Sequence, residues 1–298
     1  MEVVQTCDAC NAALGGHRVE GMDKVSLIQC DCGLVITSPR PTVSEIGAYY
    51  PPTYYSYTPT APSVTRRIVD KVKEYKGGYP TKDGFLARMF WRSSATILQN
   101  LFLFHLPYQG NGQRLLEIGC GSGLNLQWAR EHGWDVYGLE LSEGAVTEAH
   151  RQGFANVQCA NIEDAEFPAE FFDAVLVNHT LEHLYSPAAA IRRSREILRS
   201  SGTLLVTVPK FDSWPRHICG EFWANLDSPR HLHHFTQPVL EKMIRDTGFE
   251  IREIRLNARP ITLYFTLCTL QRSGQLKRIF TRPTGTLSDV MLIIAGKT

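Results

Sequence analysis

The chain has 298 residues, enough for one full α/β core plus a smaller appendage, and 43% of them are hydrophobic, which implies a folded, globular protein. Thirty-one basic residues stand against thirty acidic ones, a net charge of +1, so no whole-molecule field draws the chain to nucleic acid or to an anionic membrane. The start, MEVVQTCDACNAA, lacks a basic end and an apolar core, and no run approaches the roughly 18 apolar residues of a spanning helix. A cytoplasmic location and no transmembrane segment are therefore expected.

Eight cysteines are present, and four of them fall within the first 32 residues. In a reducing compartment, clustered thiols favour metal ligation over disulfides. Cys7-x-x-Cys10 and Cys30-x-Cys32 are about 20 residues apart, fitting two knuckles around a tetrahedral S₄ structural zinc ion in a ribbon over residues 1–40. The second pair is one residue shorter than the usual Cys-x-x-Cys, which strains its knuckle and makes His17 a candidate replacement ligand. The other reading is free, buried thiols in a metal-free subdomain. Lys and Arg do not gather around the cysteines, which argues against a nucleic-acid finger.

Residues 41–62 carry five Pro and five Tyr, too much proline for a helix or a central strand, so an extended linker is expected there. From Ser63 to about Pro107 the apolar spacing is helical, and residues 41–108 read as linker and helical cap. Beyond them, from 109 to 298, the runs RLLEIG, VYGLEL, FANVQCA, FDAVLVN, GTLLVTVP and FEIREIRL alternate with amphipathic segments. That βαβ rhythm predicts a doubly wound, mostly parallel sheet, with VMLIIA as a last strand inserted into it. The run Ile261 to Cys268 is too short to span a bilayer and reads as a helix packed on the core.

Glu117-Ile118-Gly119-Cys120-Gly121-Ser122-Gly123 ends the first of these strands. A glycine loop that opens a helix brings backbone N–H groups close to a ligand. The dinucleotide pattern GxGxxG would put its third glycine at Leu124, a side chain too large for that place. Glu117 would repel a pyrophosphate but attract the ammonium of a methionine moiety, so the charge favours S-adenosylmethionine. Glu140, 23 residues on at the end of the next strand, can accept hydrogen bonds from both ribose hydroxyls, a contact that suits either cofactor.

LLEIGCGSG and YGLELS resemble the first two motifs of the class I methyltransferases. The resemblance implies a Rossmann-like, seven-stranded methyltransferase sheet carrying the small zinc ribbon and helical cap. It implies that Gly119, Cys120, Gly121 and Gly123 shape the methionine pocket and that Glu140 and Leu141 hold the ribose. The family expects an acid near the end of the third strand for the adenine amino group; Asn161 stands there with a usable amide oxygen. Ile162 either covers the adenine ring or belongs to the core. FDAVLVNHTLEHLYSP resembles the fourth-strand motif and places Asn178 and His179 towards the methyl donor. Related quinone-pathway O-methyltransferases carry a Glu-x-x-Glu-His cluster here that can hold a divalent cation. This chain has His179 at the first position, and the favoured reading is that His183 bonds to backbone and orders the loop.

CGEFWANLDSPRHLHHFT, residues 219–236, sets three histidines and an arginine within five positions, and buried imidazoles and guanidinium need partners. It resembles a segment of methyltransferases that carry an N-terminal zinc ribbon, many of them in sugar, polysaccharide or natural-product pathways. By comparison with the zinc-ribbon sugar C-methyltransferases, His231 falls on the catalytic histidine and is expected to act as general base. Arg230 replaces a glutamate and can only bind an anion or carbonyl. His234 is a further catalytic candidate, although His233 and His234 also read as satisfied structural residues, and Phe222 and Trp223 read equally as core or substrate contacts.

The expectation is methyl transfer from S-adenosylmethionine to carbon or oxygen of a small molecule, in a cleft closed by the cap and residues 211–236. Its rivals are a catalytically silent scaffold protein and a methyltransferase acting on a macromolecule.

Overall fold

The structure is a computed structural model that describes residues 1–15, 17–21, 25–51, 64–98, 106–108, 110, 112–257 and 288–297. The run Ile261 to Cys268 lies outside the described residues. At the N-terminal end β1 (His17–Gly21), β2 (Ser26–Gln29) and β3 (Val35–Ser38) form an antiparallel meander. Two helices follow, α1 (Val64–Gly77) and α2 (Phe85–Leu98). Residues 41–62 are not extended throughout, because Ile46–Tyr49 forms a 3-10 turn. Just ahead of it the Glu45 carboxylate accepts from the Thr42 amide at 3.0 Å and from its hydroxyl at 2.9 Å, which ties the two residues together.

The central sheet takes its strands in alternation with helices: β4 (Arg114–Ile118), α3 (Leu124–Glu131), β5 (Asp135–Glu140), α4 (Glu143–Arg151), β6 (Val157–Cys159) and β7 (Phe172–Asn178). Then come α5 (Pro187–Ile197), β8 (Leu198–Pro209), α6 (Trp214–Cys219), β9 (His233–His234), α7 (Gln237–Asp246), β10 (Phe249–Asn257) and β11 (Val290–Lys297). Among the described residues this sheet has seven strands in the order β10-β11-β8-β7-β4-β5-β6. β11 is inserted antiparallel between β10 and β8, while β8, β7, β4, β5 and β6 run parallel. The reversal of strand order between β4 and β7 opens a crevice at the carboxyl ends of the strands, where open α/β sheets bind ligands.

Central parallel strands are covered on both faces and so read as continuous apolar runs. Residues 172–177 of β7 are buried without a break, and Leu115 and Leu116 of β4 are fully buried. Each large apolar side chain among them, such as Phe172, Val175, Leu176 and Leu115, stabilises the fold by roughly 1.5–3 kcal/mol. The core on one face of the sheet continues into the N-terminal meander: Val4, Cys7, Cys30, Leu34 and Ile36 pack in one cluster with Leu181, Phe235, Leu240 and Met243. The meander is also tied to the later chain by hydrogen bonds, since β9 joins β3 as a fourth strand, pairing Val35 with His234 and Ile36 with His233.

Candidate active site

The glycine loop bends between β4 and α3. Gly119 N–H and Cys120 N–H both donate to the Leu139 carbonyl, at 2.7 and 3.1 Å, which closes the loop over the end of β5. Gly119 sits at φ +72°, and a Cβ there would run into the Thr180 side chain; Gly123, at φ +91°, would meet the Phe154 ring at 2.8 Å. Only glycine fits either place. The contact with Thr180 also sets the loop against the turn that carries His179 to His183.

Glu117 is 2% exposed, and its Oε1 accepts from Asn125 Nδ2 at 2.7 Å, while Oε2 has no hydrogen-bond partner. Burial raises its carboxyl to about 8 although the Asn125 bond opposes it. A buried carboxyl with one unpartnered oxygen fits the ammonium of a methionine moiety, whose charge would ionise it. Glu140 joins two backbone segments: Oε2 accepts from Gly121 N–H at 3.0 Å, and Oε1 accepts from Leu141 N–H at 2.8 Å and Ser142 N–H at 3.0 Å. Ser142 then caps α4 by accepting from Ala145 N–H. Leu141 is exposed beside this carboxylate and Cys120 is buried beneath the loop. Asn161 is half-buried, with its carbonyl holding a turn at Ala165, and Ile162 is buried in the core cluster. Asn178, at the end of β7, has a buried Oδ1 without a hydrogen-bond partner.

The second group is a cluster of imidazoles around one carboxylate. His179 adopts φ +52°, a left-handed conformation that few non-glycine residues take, held by its N–H donating to Thr207 at 2.9 Å. Its Nδ1 lies 3.4 Å from Oε1 of Glu182, which is 1% exposed. Burial opposes ionisation of Glu182, but the hydrogen bond from His179, with the imidazole of His183 nearby, outweighs it and brings the carboxyl down to about 2. His183 Nδ1 lies 3.0 Å from the Arg230 carbonyl and 3.0 Å from the Tyr50 hydroxyl. A carbonyl only accepts, so Nδ1 carries the hydrogen and His183 does order the Arg230 segment.

His231 stands edge-on to His183, ring centroids 4.6 Å apart, and is 7% exposed. Its Nδ1 lies 2.8 Å from the Asn225 carbonyl, which again fixes the hydrogen on Nδ1 and leaves the lone pair on Nε2. Nε2 lies 3.7 Å from Asp227 Oδ2. Burial pushes the His231 imidazolium far below the usual histidine range, and His183 adds to the effect, so the ring is neutral near pH 7. Glu182, His183 and His231 each present one possible ligand atom within 4.8 Å of the others. Arg230 is ion-paired with Asp227, its Nε 3.1 Å from Oδ1, and sits 5.9 Å from the Tyr50 ring.

His233 and His234 are buried on β9 and differ from His231 in that their side chains, not a backbone carbonyl, are bonded to residues of the N-terminal region, Asp8 and Thr37. His234 Nε2 lies 3.1 Å from Thr37 Oγ1, whose one hydrogen goes to the His231 carbonyl at 2.8 Å, so Nε2 is the donor in that pair. Trp223 is buried with Leu27, Val35 and Ile218, and Phe222 is partly exposed.

The third group is the four thiols. Cys7 Sγ lies 3.6 Å from Cys32 Sγ, Cys10 Sγ lies 3.6 Å from Cys30 Sγ, and all four fall within 4.8 Å of one another. The short Cys30-Asp31-Cys32 pair reaches the cluster in a turn closed by Gly33 N–H, which donates to the Cys30 carbonyl at 2.8 Å. His17, on β1, is outside this group. Four sulfurs at such spacing match the donor set of a structural zinc ion.

Several residues that build the site carry no motif. Asn225 acts through a backbone carbonyl, Asp227 through a turn at φ +39°, and Tyr50 and Thr37 across long separations in sequence. The Leu-Asp pair before Pro-Arg-His is the one local signal for Asp227.

Among the described residues no helix is long and apolar enough to cross a membrane. Several curated relatives are named ubiquinone biosynthesis O-methyltransferase. That of Aromatoleum aromaticum is 27% identical over 169 residues, 52% of this chain and 72% of the relative. That of Coxiella burnetii is 29% identical over 134 residues, 42% and 57% of the two chains, and that of Cereibacter sphaeroides 30% over 158 residues, 49% and 62%. An S-adenosylmethionine-dependent methyltransferase of Archaeoglobus fulgidus superposes with a TM-score of 0.48 at 20% identity, covering 64% of this chain and 89% of that one. The family model described as a methyltransferase domain matches residues 90–254, more than half of the chain. The chain thus belongs to the methyltransferase domain family and is a class I S-adenosylmethionine-dependent methyltransferase.

Proposed function

We propose that the chain transfers the methyl group of S-adenosylmethionine to an oxygen or carbon of a small-molecule acceptor, a sugar, natural-product intermediate or related metabolite, with His231 as general base. The observation that carries the reading is the Nδ1–H bond of His231 to the Asn225 carbonyl, which leaves Nε2 able to take a proton in a buried site. Support for a small-molecule acceptor and for oxygen as the methylated atom comes from the curated relatives' printed name.

In this reading Glu117 binds the ammonium of the donor, Gly119, Cys120, Gly121 and Gly123 let the main chain of the loop approach it, and Glu140 with Leu141 holds the ribose. Asn161 and Ile162 meet the adenine, and Asn178 faces the methionine end. S-adenosylmethionine supplies the methyl group when bound. Arg230 orients an acceptor carbonyl or anion, His179 and His234 flank the base, and His231 Nε2 takes the acceptor proton. Positioning of donor and acceptor supplies much of the acceleration. Residues 1–40 form the ribbon with zinc on Cys7, Cys10, Cys30 and Cys32, residues 41–108 the linker and cap, and residues 109–298 the core.

The test is purified protein with S-adenosylmethionine and a panel of hydroxylated small molecules, read for a mass gain of one methylene. His231→Gln is expected to lower turnover by about 10²–10⁴ while leaving donor binding within a few-fold. Full turnover by that variant would remove His231 from the role of base.

A further inference from the structure

The ribbon's thiol cluster and the His231 segment are joined by two separate connections. The first is backbone. β3 leaves the second cysteine pair directly, and its Thr37 N–H donates to the Leu232 carbonyl at 3.0 Å while its hydroxyl donates to the His231 carbonyl at 2.8 Å. On the other side Leu232 N–H donates to the Glu182 carbonyl at 2.8 Å. The His231 segment is thus clamped between the ribbon and the turn after β7.

The second connection is a side chain. Asp8 lies between Cys7 and Cys10, in the first knuckle. Its Oδ2 accepts from His233 Nε2 at 2.8 Å and from Arg40 Nη1 at 2.7 Å, and Arg40 Nε also donates to Glu2 at 2.9 Å. The His233 side chain is 0% exposed, so without Asp8 its N–H would be left in the interior with no acceptor. That cost is relieved most readily by movement of β9, two residues from His231.

We propose that Asp8 is a positioning residue: through its buried bond to His233 it holds the His231 segment in place, so the state of the four-cysteine cluster is transmitted to the base. The inference rests on the zinc and His231 assignments of the proposed function. A knuckle rigid about its metal presents Asp8 at one point; a knuckle released from it does not, and the donor loop on β4 and β5 makes neither the Thr37 bonds nor the Asp8 bond, meeting only the turn after β7 at Thr180.

Hydrogen exchange of the full chain, followed by mass spectrometry, tests this without an acceptor. Metal content is measured first, and three samples are then compared: the zinc-loaded protein, the same protein after chelation, and Asp8→Ala. Both changes are expected to speed exchange in residues 229–236 at least tenfold, with peptides over 114–140 and S-adenosylmethionine affinity by calorimetry changed less than about threefold. Asp8→Asn keeps an oxygen for the His233 N–H and is expected to restore protection of 229–236. Changes confined to residues 1–40 would overturn the proposal, as would Asp8→Asn behaving like Asp8→Ala. If Asp8→Ala does not fold, the Asp8→Asn and chelation arms decide alone. A chain that binds no zinc overturns the metal assignment and with it the metal-dependent half of the inference, while the Asp8 variants still judge the other half.

Discussion

Glu140 and Gly121 are bonded to each other, carboxylate Oε2 to amide N–H at 3.0 Å, so the acid at the end of β5 also fixes the middle of the glycine loop. A change at Glu140 therefore acts on the glycine loop as well as on the ribose contact proposed for it. Hydrogen bonds to a charged group are worth about 1.5–3 kcal/mol, or roughly 10- to 150-fold in affinity. Glu140→Ala is expected to weaken S-adenosylmethionine binding by that factor in calorimetry. Undiminished affinity would contradict the assignment of this carboxylate to the donor.

Gly119 is held in a second way, by Thr180. At φ +72° any side chain is strained, and a methyl group at that Cα strikes the Thr180 side chain. Strain in a sparsely populated backbone region costs of order 1–3 kcal/mol. Gly119→Ala is expected to lower the melting temperature and weaken donor binding. The double change Gly119→Ala with Thr180→Gly relieves the collision but not the backbone strain, so it is expected to recover part of the loss. Strict additivity of the two single changes would show that the contact does not couple them.

The loop and its acids were legible because a buried strand, a glycine-rich turn and a helix leave a local pattern. The inserted last strand was legible in the same way, since VMLIIA is an unbroken apolar run. The short second cysteine pair was harder, because its spacing alone predicted strain, whereas a tight turn closed by Gly33 N–H on the Cys30 carbonyl holds Cys30 and Cys32 beside the other thiols. What the sequence could not disclose is how the histidines divide. His231 is oriented by a backbone carbonyl, which has no sequence signature, and His233 and His234 are bonded to Asp8 and Thr37, more than 190 positions away. β9 is two residues long, too short for any period to show.

The neutral state of His231 has a pH consequence. Burial disfavours its imidazolium form, so its pKa in the folded chain lies well below the ordinary 6.5. A base must be unprotonated to act, and a depressed pKa keeps it so on mild acidification. Histidine-selective NMR, with His231→Gln to assign the signal, is expected to show no protonation of this ring between pH 8 and 6.5. With an acceptor in hand, kcat/KM is expected to stay level over the same range as far as His231 governs it. A His231 midpoint at or above 6.5 would contradict the geometry.

The same burial makes the fold acid-sensitive. His234 is buried against Phe211, and burial lowers its pKa to about 3; burial also lowers that of His233. In the unfolded chain both titrate near 6.5. Below that value the unfolded state binds protons that the folded state refuses, so stability is fully present above pH 6.5. For His234 it falls as the pH drops from 6.5 towards 3, by about 1.4 kcal/mol per pH unit, and His233 acts in the same direction. Urea unfolding at pH 7.5 and pH 5 is expected to show a lower midpoint at pH 5. His234→Gln keeps a side-chain amide that can donate to Thr37 and removes one titrating ring, so its midpoint is expected to fall less between the two pH values. An equal fall in the variant and the parent would mean that His234 takes up its proton without leaving the folded state.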